Sequence, residues 1–170
     1  MFEILKPADF TPEIVAQVLD LGKRSGTWQD SDVDYYKDQF QNPRNINIVH
    51  RNGDNRISGY ILARPHNEAV LDYLIEDPVM AASDVGMFYV DIVIADKNSI
   101  RPSIGMLLIT EMIREANNRR VSRFSFHCRV VTGFSKRIQK EFGAEIIRRI
   151  ERYVDCNEEP FDYIETIAVA

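Results

Sequence analysis

The sequence predicts a mixed α/β fold of the α+β class, and three observations lead to that prediction. Residues 87–95 form an apolar run rich in β-branched and aromatic side chains, which is typical of a buried strand. A polar loop follows this run and leads, at Ile104 and Gly105, into a helix with an apolar face. Residues 45–50 and 56–64 flank an Asn-Gly-Asp-Asn turn, which indicates a β-hairpin.

Capping residues and periodicity predict the remaining elements. Thr11-Pro12-Glu13 supplies an N-cap, a proline at the first helical position and an acidic first turn, and this helix should end near Gly22 or Gly26. The other predicted helices cover 31–40, 67–75, 104–118 and 135–142, the last of them closed by Gly143. The other predicted strands cover 2–6, 123–131, 144–155 and 161–170, with the last two paired as a hairpin.

Length and composition indicate a single globular domain over 1–170. The chain has 170 residues, of which 45% are apolar and 28% charged. Its net charge of −5 argues against nucleic acid as a partner, because phosphate binding favours a basic surface. A local basic patch at Arg148, Arg149 and Arg152 stays open as an alternative. No apolar run approaches roughly 18 residues, so we expect no membrane partner.

The two cysteines do not indicate a metal site or a redox motif. Cys128 and Cys156 show neither metal-ligand spacing nor a Cys-x-x-Cys pattern. The N-terminus lacks the basic region and long apolar stretch of a signal peptide. We therefore expect a reduced, cytoplasmic protein without a metal.

The loop before the 104–118 helix carries a resemblance to a known family. Gly105 lies at the start of this helix, and Ser103 lies two positions before Gly105. Together with the element order, best between 57 and 144, the loop resembles that of the GNAT superfamily of acyl-CoA-dependent N-acetyltransferases. The family motif is Arg/Gln-x-x-Gly-x-Gly/Ala, so Gly105 matches its last glycine. Ser103 falls on the first glycine, and Ile100 replaces the Arg or Gln.

A second signature of the family is Asn-x-x-Ala-x-x-x-Tyr-x-x-x-Gly-Phe. Counting back from Gly143 places Thr132 on the Asn, Ser135 on the Ala and Gln139 on the Tyr. That tyrosine often protonates the coenzyme thiolate in the family, and a glutamine amide cannot do so. The departures keep a second hypothesis open, namely a binding or regulatory module of the same fold with weakened catalysis.

The resemblance implies a central, mostly antiparallel twisted sheet with helices on both faces and a splayed central strand pair. It implies an N-acyltransferase that moves an acetyl or other acyl group from coenzyme A to a small-molecule or peptide amine by direct transfer. The acyl-CoA would lie between 87–95 and 123–131, with its pyrophosphate on the amides of 101–106. The implied coenzyme-binding residues are Ile92, Val93, Ile94, Arg101, Ser103, Ile104, Gly105, Met106, Thr132 and Ser135.

Asp91 and His127 are the candidate catalytic residues. Asp91 is the one charged residue in the 87–95 run, where a carboxylate needs a site, a partner or water. It is the first choice as general base, and the alternative is a solvated face or a pair with an arginine. Strand alternation groups His127 with Ser125 and Arg129, and its imidazole could relay a proton near neutral pH. The alternative is a hydrogen-bonded structural histidine.

Other polar and aromatic residues are interpreted as structural. His50 and His66 are expected on the surface or in loops. Trp28, Tyr35 and Tyr36 could line an acceptor pocket, although ordinary helix packing explains them as well. The apolar final strand, 164–170, could extend the sheet across a homodimer.

Overall fold

A computed structural model describes residues 1–26, 33–83, 86–97, 103–153 and 158–167. It confirms the predicted fold class, a mixed α/β arrangement whose paired strands are mostly antiparallel. The strands are β1 Phe2–Leu5, β2 Ile46–Arg51, β3 Ile57–Pro65, β4 Met87–Ala95, β5 Arg123–Arg129, β6 Glu145–Tyr153 and β7 Glu159–Ile167. The helices are α1 Pro12–Ser25, α2 Val33–Gln41, α3 His66–Tyr73, α4 Ile104–Asn118 and α5 Phe134–Phe142. The strand order is β1-β2-β3-β4-β5-β7-β6.

The parallel pair at the centre of the sheet shares only a short ladder, and the predicted splay of its strands stays a prediction. The ladder joins Met87–Val90 of β4 to Arg123–Phe126 of β5. Beyond it, β4 continues to Ala95 and β5 to Arg129. Residues after Val90 and Phe126 therefore extend the two strands beyond their shared ladder.

The predicted bounds agree with the structure for β4 and α4 and differ by one to three positions at several other element ends, among them the end of β5. β4 and α4 begin and end where the apolar pattern places them. The strand predicted over 123–131 ends at Arg129, because Val130–Thr132 form a 3-10 turn. Gly133 closes this turn at φ 65°, a left-handed conformation that glycine adopts readily. None of the helices within the described ranges is long and apolar enough to cross a membrane.

The chain folds as two compact units, the first of which comprises Met1–Ala63 and Ile92–Glu115. Its core packs apolar side chains of α1 and α2 against Tyr60 and Leu62 of β3. The Thr11 hydroxyl caps α1 by accepting a hydrogen bond from the backbone N–H of Ile14 at 3.3 Å. One face of β3 is thereby covered.

Gly59 allows α4 to cover the opposite face of β3. A Cβ atom at this glycine would lie 2.6 Å from Cγ2 of Ile104 and 3.0 Å from Cδ1 of Leu108. Real Cβ atoms do not approach other atoms that closely, so only glycine fits without a shift. Helices therefore cover both faces of β3 within this unit, as the sequence predicted.

The second unit comprises Arg64–Asp91 and Ala116–Ala170. Its apolar cluster consists of Ala69, Val70, Met80, Tyr89 and Tyr163. The polar side chains that are buried in the described part of this unit include Arg64, His66, Glu76, Asp77, Ser125, Ser135, Asp162 and Thr166. Buried polar groups need hydrogen-bond partners, so these side chains are expected to form hydrogen bonds with one another.

Candidate active site

A buried hydrogen-bonded chain runs from Asp77 through His127 to Tyr89 in the second unit. Nε2 of His127 lies 3.0 Å from Oδ2 of Asp77, and Nδ1 lies 2.8 Å from the hydroxyl of Tyr89. The side chains of Asp77 and His127 are 1% and 2% exposed. Both ring nitrogens of the histidine are thus engaged in a dry environment.

Strand register brings these side chains together. Alternation along β5 places His127 on the same face as Ser125, and Ser125 pairs with Tyr89 in the parallel ladder. On the other side of β5, His127 stands directly opposite Tyr163 of β7. Asp77 comes from the segment after α3, far from His127 in sequence. Three separate elements therefore supply the chain.

Arg148 of β6 fixes the charge of Asp77. Its guanidinium donates to both carboxylate oxygens, with Nε 2.9 Å from Oδ1, and it stacks 3.9 Å above the Tyr163 ring. Burial alone would raise the pKa of Asp77, but the hydrogen bonds from His127 and Arg148 outweigh it and lower the pKa to about 2. Asp77 is therefore a carboxylate at neutral pH.

His127 is held neutral by its surroundings. Burial lowers the pKa of His127, and the hydrogen bond with Asp77 opposes this effect only in part. The rings that surround the imidazole, at centroid distances of 5.0 to 5.7 Å, are those of Tyr73, Tyr89, Tyr153 and Tyr163. Tyrosine faces and an adjacent carboxylate can also accommodate an imidazolium when it forms.

The structure places Asp91, the first-choice base, in a buried ion pair. Its side chain is 1% exposed, and Oδ2 lies 2.9 Å from Nε of Arg64. Arg64 also pairs with Asp72 at 2.6 Å, and the Tyr73 hydroxyl donates to Oδ1 of Asp91. Both carboxylate oxygens of Asp91 are thus already engaged, one by Tyr73 and the other by Arg64. The role of Asp91 as the base stays a prediction.

The start of α4 presents the N–H groups of a helix N-terminus, and coenzyme binding there stays a prediction. The backbone C=O of Ser103 accepts the first helical hydrogen bond from Leu107 at 3.1 Å. The N–H groups of a first helical turn have no acceptor within the helix and carry the positive end of its dipole. Ser103 has φ 77°, a conformation that favours glycine, and glycine is the family's residue at this position. Arg101 and the rest of 98–102 lie outside the described residues.

The other residues implied in coenzyme binding differ in how deeply their side chains are buried. The side chains of Ile92 and Ile94 pack in the first unit's core, and those of Ile104 and Met106 are buried. In β4, Val93 alternates with these isoleucines and is half-buried, as is Gly105 in α4. Their backbone groups, not their side chains, would have to contact a coenzyme.

Thr132 and Ser135 already have partners within the protein. The Thr132 hydroxyl donates to the Arg129 carbonyl at 2.8 Å. The Ser135 hydroxyl is buried and donates to Oδ2 of Asp162 at 2.8 Å. These contacts explain both side chains as structural, and their part in coenzyme binding stays a prediction.

Two histidines expected on the surface are buried, which corrects the sequence interpretation. His66 is 2% exposed, with Nδ1 2.7 Å from Oγ of Ser125 and Nε2 2.9 Å from the Ala81 carbonyl. His50 is 5% exposed and bonds Oγ of Ser58 at 2.7 Å. Each histidine satisfies a buried serine, a role that pattern alone does not reveal.

Sequence reasoning missed Asp77, Tyr89 and Arg148. In the sequence, Asp77 lies after the helix predicted over 67–75, outside any predicted element, and Tyr89 is one residue of the apolar 87–95 run. Arg148 was grouped with a basic patch. The one sequence feature that could have indicated this site is Tyr89, a residue with a polar hydroxyl in the otherwise largely apolar strand predicted beside the strand of His127. Within the described part of the chain, no group of three or more His, Cys, Asp or Glu side chains could hold a metal ion.

Comparison with solved structures finds the same fold in N-acetyltransferases. A chain of the NatC complex bound to Gag peptide and CoA aligns with TM-score 0.74 at 13% identity, over 99% of this chain and 98% of that one. An aminoglycoside 6'-N-acetyltransferase complexed with coenzyme A aligns with TM-score 0.69 at 11% identity, over 100% and 98%. The ribosomal-protein-alanine N-acetyltransferase from Brucella melitensis aligns with TM-score 0.69 at 15% identity, over 98% and 99%.

These matches establish the class of fold. No family model matches the sequence, and no curated protein matches it significantly. The chain has the fold of GNAT N-acetyltransferases, as the resemblance of its loop and element order predicted. At these identities, the likeness defines the fold alone.

Proposed function

We propose that this protein is an acyl-CoA-dependent N-acyltransferase that transfers an acetyl or other acyl group directly to an amine. The fold supports this proposal, since its neighbours are N-acetyltransferases and several were solved with coenzyme A. The observation that carries it for this chain is the Asp77–His127–Tyr89 arrangement, which is built to take up a proton. A cytoplasmic location is part of the proposal.

The start of α4 fits an acyl-CoA pyrophosphate. The N–H groups of Ile104, Gly105 and Met106 belong to the first helical turn, where an anion is favoured. Gly105 carries no side chain to block the approach, and Arg101 would add positive charge. The coenzyme would supply the activated acyl group as a thioester.

The acceptor nitrogen has to lose a proton as it attacks the thioester carbon. In our proposal, the Tyr89 hydroxyl accepts this proton while passing its own to Nδ1 of His127. The carbon–sulfur bond breaks, and coenzyme A leaves as the thiolate. Burial raises the pKa of Tyr89 well above its usual value, so the tyrosine transmits the proton without persisting as an anion. His127 replaces Asp91 as the preferred base because Asp91 is bound to Arg64.

The acceptor class is either a small-molecule amine or a peptide amine. Both kinds of neighbour share this fold, the first in the aminoglycoside enzyme and the second in the structure bound to Gag peptide. The test follows release of the coenzyme A thiol from acetyl-CoA, with a panel that contains a polyamine, an aminoglycoside and short peptides with free N-termini. We expect release with at least one acceptor class.

Variants identify the proton acceptor in the same assay. His127→Gln and Tyr89→Phe should each lower kcat by about 100-fold or more, because each interrupts the proton path. Arg152→Gln, an exposed arginine on β6, is the control and should retain activity. The proposal is overturned if neither thiol release nor coenzyme binding is detected at millimolar acetyl-CoA.

A second candidate function is a coenzyme-binding module without efficient transfer. Two observations favour it, the nearly complete burial of His127 and Tyr89 and the glutamine at position 139. Calorimetry separates the candidates. Coenzyme binding without thiol release across the whole acceptor panel would support the module and oppose the enzyme.

A further inference from the structure

We infer that Asp77, held by Arg148, is a positioning residue that fixes neutral His127 in the Nε2–H tautomer and so makes Nδ1 the proton acceptor for Tyr89. The catalytic meaning of this inference rests on the proposed acyl transfer. The tautomer itself is a property of the chain and can be measured without any substrate.

The geometry requires this tautomer. Asp77 is ionised, and a carboxylate can only accept hydrogen bonds. Its Oδ2 lies 3.0 Å from Nε2 of His127, so Nε2 must carry the hydrogen. The other tautomer would direct the Nε2 lone pair at the carboxylate. Nδ1 is then a hydrogen-bond acceptor, and the Tyr89 hydroxyl donates to it at 2.8 Å.

Arg148 keeps Asp77 able to perform this role. It contacts both carboxylate oxygens, which restrains rotation of the carboxylate, and it stacks on Tyr163. A buried carboxylate without this partner would tend to take up a proton. A protonated Asp77 could donate to Nε2 and reverse the tautomer. Arg148 therefore acts on His127 only through Asp77.

The charges around His127 agree with a proton acceptor at Nδ1. The described ionisable groups near it are Asp77 from the segment after α3, Arg148 and Tyr153 from β6, Tyr163 from β7, Tyr89 and Asp91 from β4, and Tyr73 from α3. Arg64 compensates the charge of Asp91, whereas Asp77 touches the imidazole directly. After proton uptake, Nδ1–H would donate to Tyr89, and Asp77 would face the imidazolium. One proton moves from the amine to His127, and Asp77 stays ionised.

Nitrogen-15 NMR of histidine-labelled protein tests the tautomer. The chain has three histidines, so each imidazole can be assigned by substitution. His66 provides an internal reference, because its Nε2 faces the Ala81 carbonyl and must carry a hydrogen. We expect His127 in the same Nε2–H form at pH above its pKa. Asp77→Asn should produce a mixture of tautomers, since an amide can both donate and accept.

Kinetics give the second readout. Asp77→Asn should lower kcat about 10-fold or more, leave KM for acetyl-CoA unchanged, and move the acidic limb of the pH profile to lower pH. The limb moves down because the Asp77 charge favours the imidazolium and its removal disfavours it. Asp77→Glu should restore part of kcat. Arg148→Gln should change the tautomer and kcat in the same direction as Asp77→Asn, but to a smaller extent. Arg152→Gln should change neither the tautomer nor kcat.

The outcomes separate this inference from the proposed function. An inactive wild-type protein with a tautomer that depends on Asp77 would overturn the enzyme and support the positioning role. An active enzyme whose His127 keeps the Nε2–H form in Asp77→Asn would overturn the positioning role. The positioning role would also be overturned if His127 of the wild-type protein were in the Nδ1–H form. If Asp77→Asn does not fold, as judged by circular dichroism, Arg148→Gln and Asp77→Glu decide between these outcomes.

Discussion

At the scale of single residues, His127 links the polar chain to the stability of the protein. Its pKa is lower in the folded state, mainly through burial, than the value near 6.5 that an exposed histidine has. Below about pH 6.5, the unfolded chain therefore binds a proton that the folded chain does not. Stability falls as the pH drops through this range, by at most about 1.4 kcal/mol per pH unit for one proton.

We predict that His127→Gln removes this dependence between about pH 7.5 and 5.5, although the variant is less stable overall. The measurement is the free energy of unfolding in urea at a series of pH values. Arg152→Gln, which alters an exposed ion pair, should keep the wild-type slope. Equal slopes in wild type and His127→Gln would show that the histidine is not the titrating group. Asp77 contributes in the same direction only at lower pH, between 3.8 and about 2.

The sequence could predict one of the three members of the polar chain, His127. Alternation in β5 identified the face of His127, because neighbours two positions apart share a side of a strand. Asp77 and Arg148 could not be found in this way, because they lie 50 positions before and 21 positions after His127. Their meeting depends on strand register and on the segment after α3, neither of which is visible in a local pattern.

At the scale of elements, the position of α4 depends on a missing side chain in β3. Gly59 lets Ile104 and Leu108 pack against the strand backbone, so the first turn of α4 lies where β3 allows it. The sequence pattern predicted both elements, with the bounds of α4 as observed and those of β3 one position too early. It could not predict how closely they approach, since this distance is set by tertiary packing.

We predict that Gly59→Ala destabilises the protein by about 1–3 kcal/mol, because the new Cβ overpacks against Ile104 and Leu108. Denaturant midpoints provide the measurement. Gly53→Ala is the matched control, since a Cβ there meets nothing within 4 Å, and its effect should stay within about 0.5 kcal/mol.

A double substitution tests the cause of the Gly59 effect. Ile104→Ala removes the methyl group that a Cβ at Gly59 would meet, so the two changes should cost less together than the sum of their separate costs. If the two losses of unfolding free energy were strictly additive, the destabilisation by Gly59→Ala would not come from contact with Ile104.

At the scale of the whole molecule, charge argues for local recognition of an anionic coenzyme. The chain has 26 acidic and 21 basic residues, so its overall field does not attract anions. The arginines of β5 and β6 are paired with carboxylates, namely Arg123 with Glu165, Arg129 with Glu159, Arg148 with Asp77, Arg149 with Asp162 and Arg152 with Glu158. The basic patch considered from the sequence is therefore compensated. The proposed function therefore relies on the start of α4, and not on this patch, to bind the coenzyme phosphates.

Gly105→Glu separates helix stability from coenzyme binding, because it should change them in opposite directions. Without ligand, we predict a gain of up to about 1 kcal/mol, since a glycine leaves the helix and a negative charge joins its first turn. With ligand, the wild-type protein gains about 2.7 kcal/mol at coenzyme A concentrations of 100 times Kd. The variant should lose most of this gain, because the carboxylate repels the pyrophosphate. Thr110→Glu, which adds the same charge further along α4, should keep the response to coenzyme A in thermal unfolding. A full response in Gly105→Glu would place the coenzyme away from the start of α4.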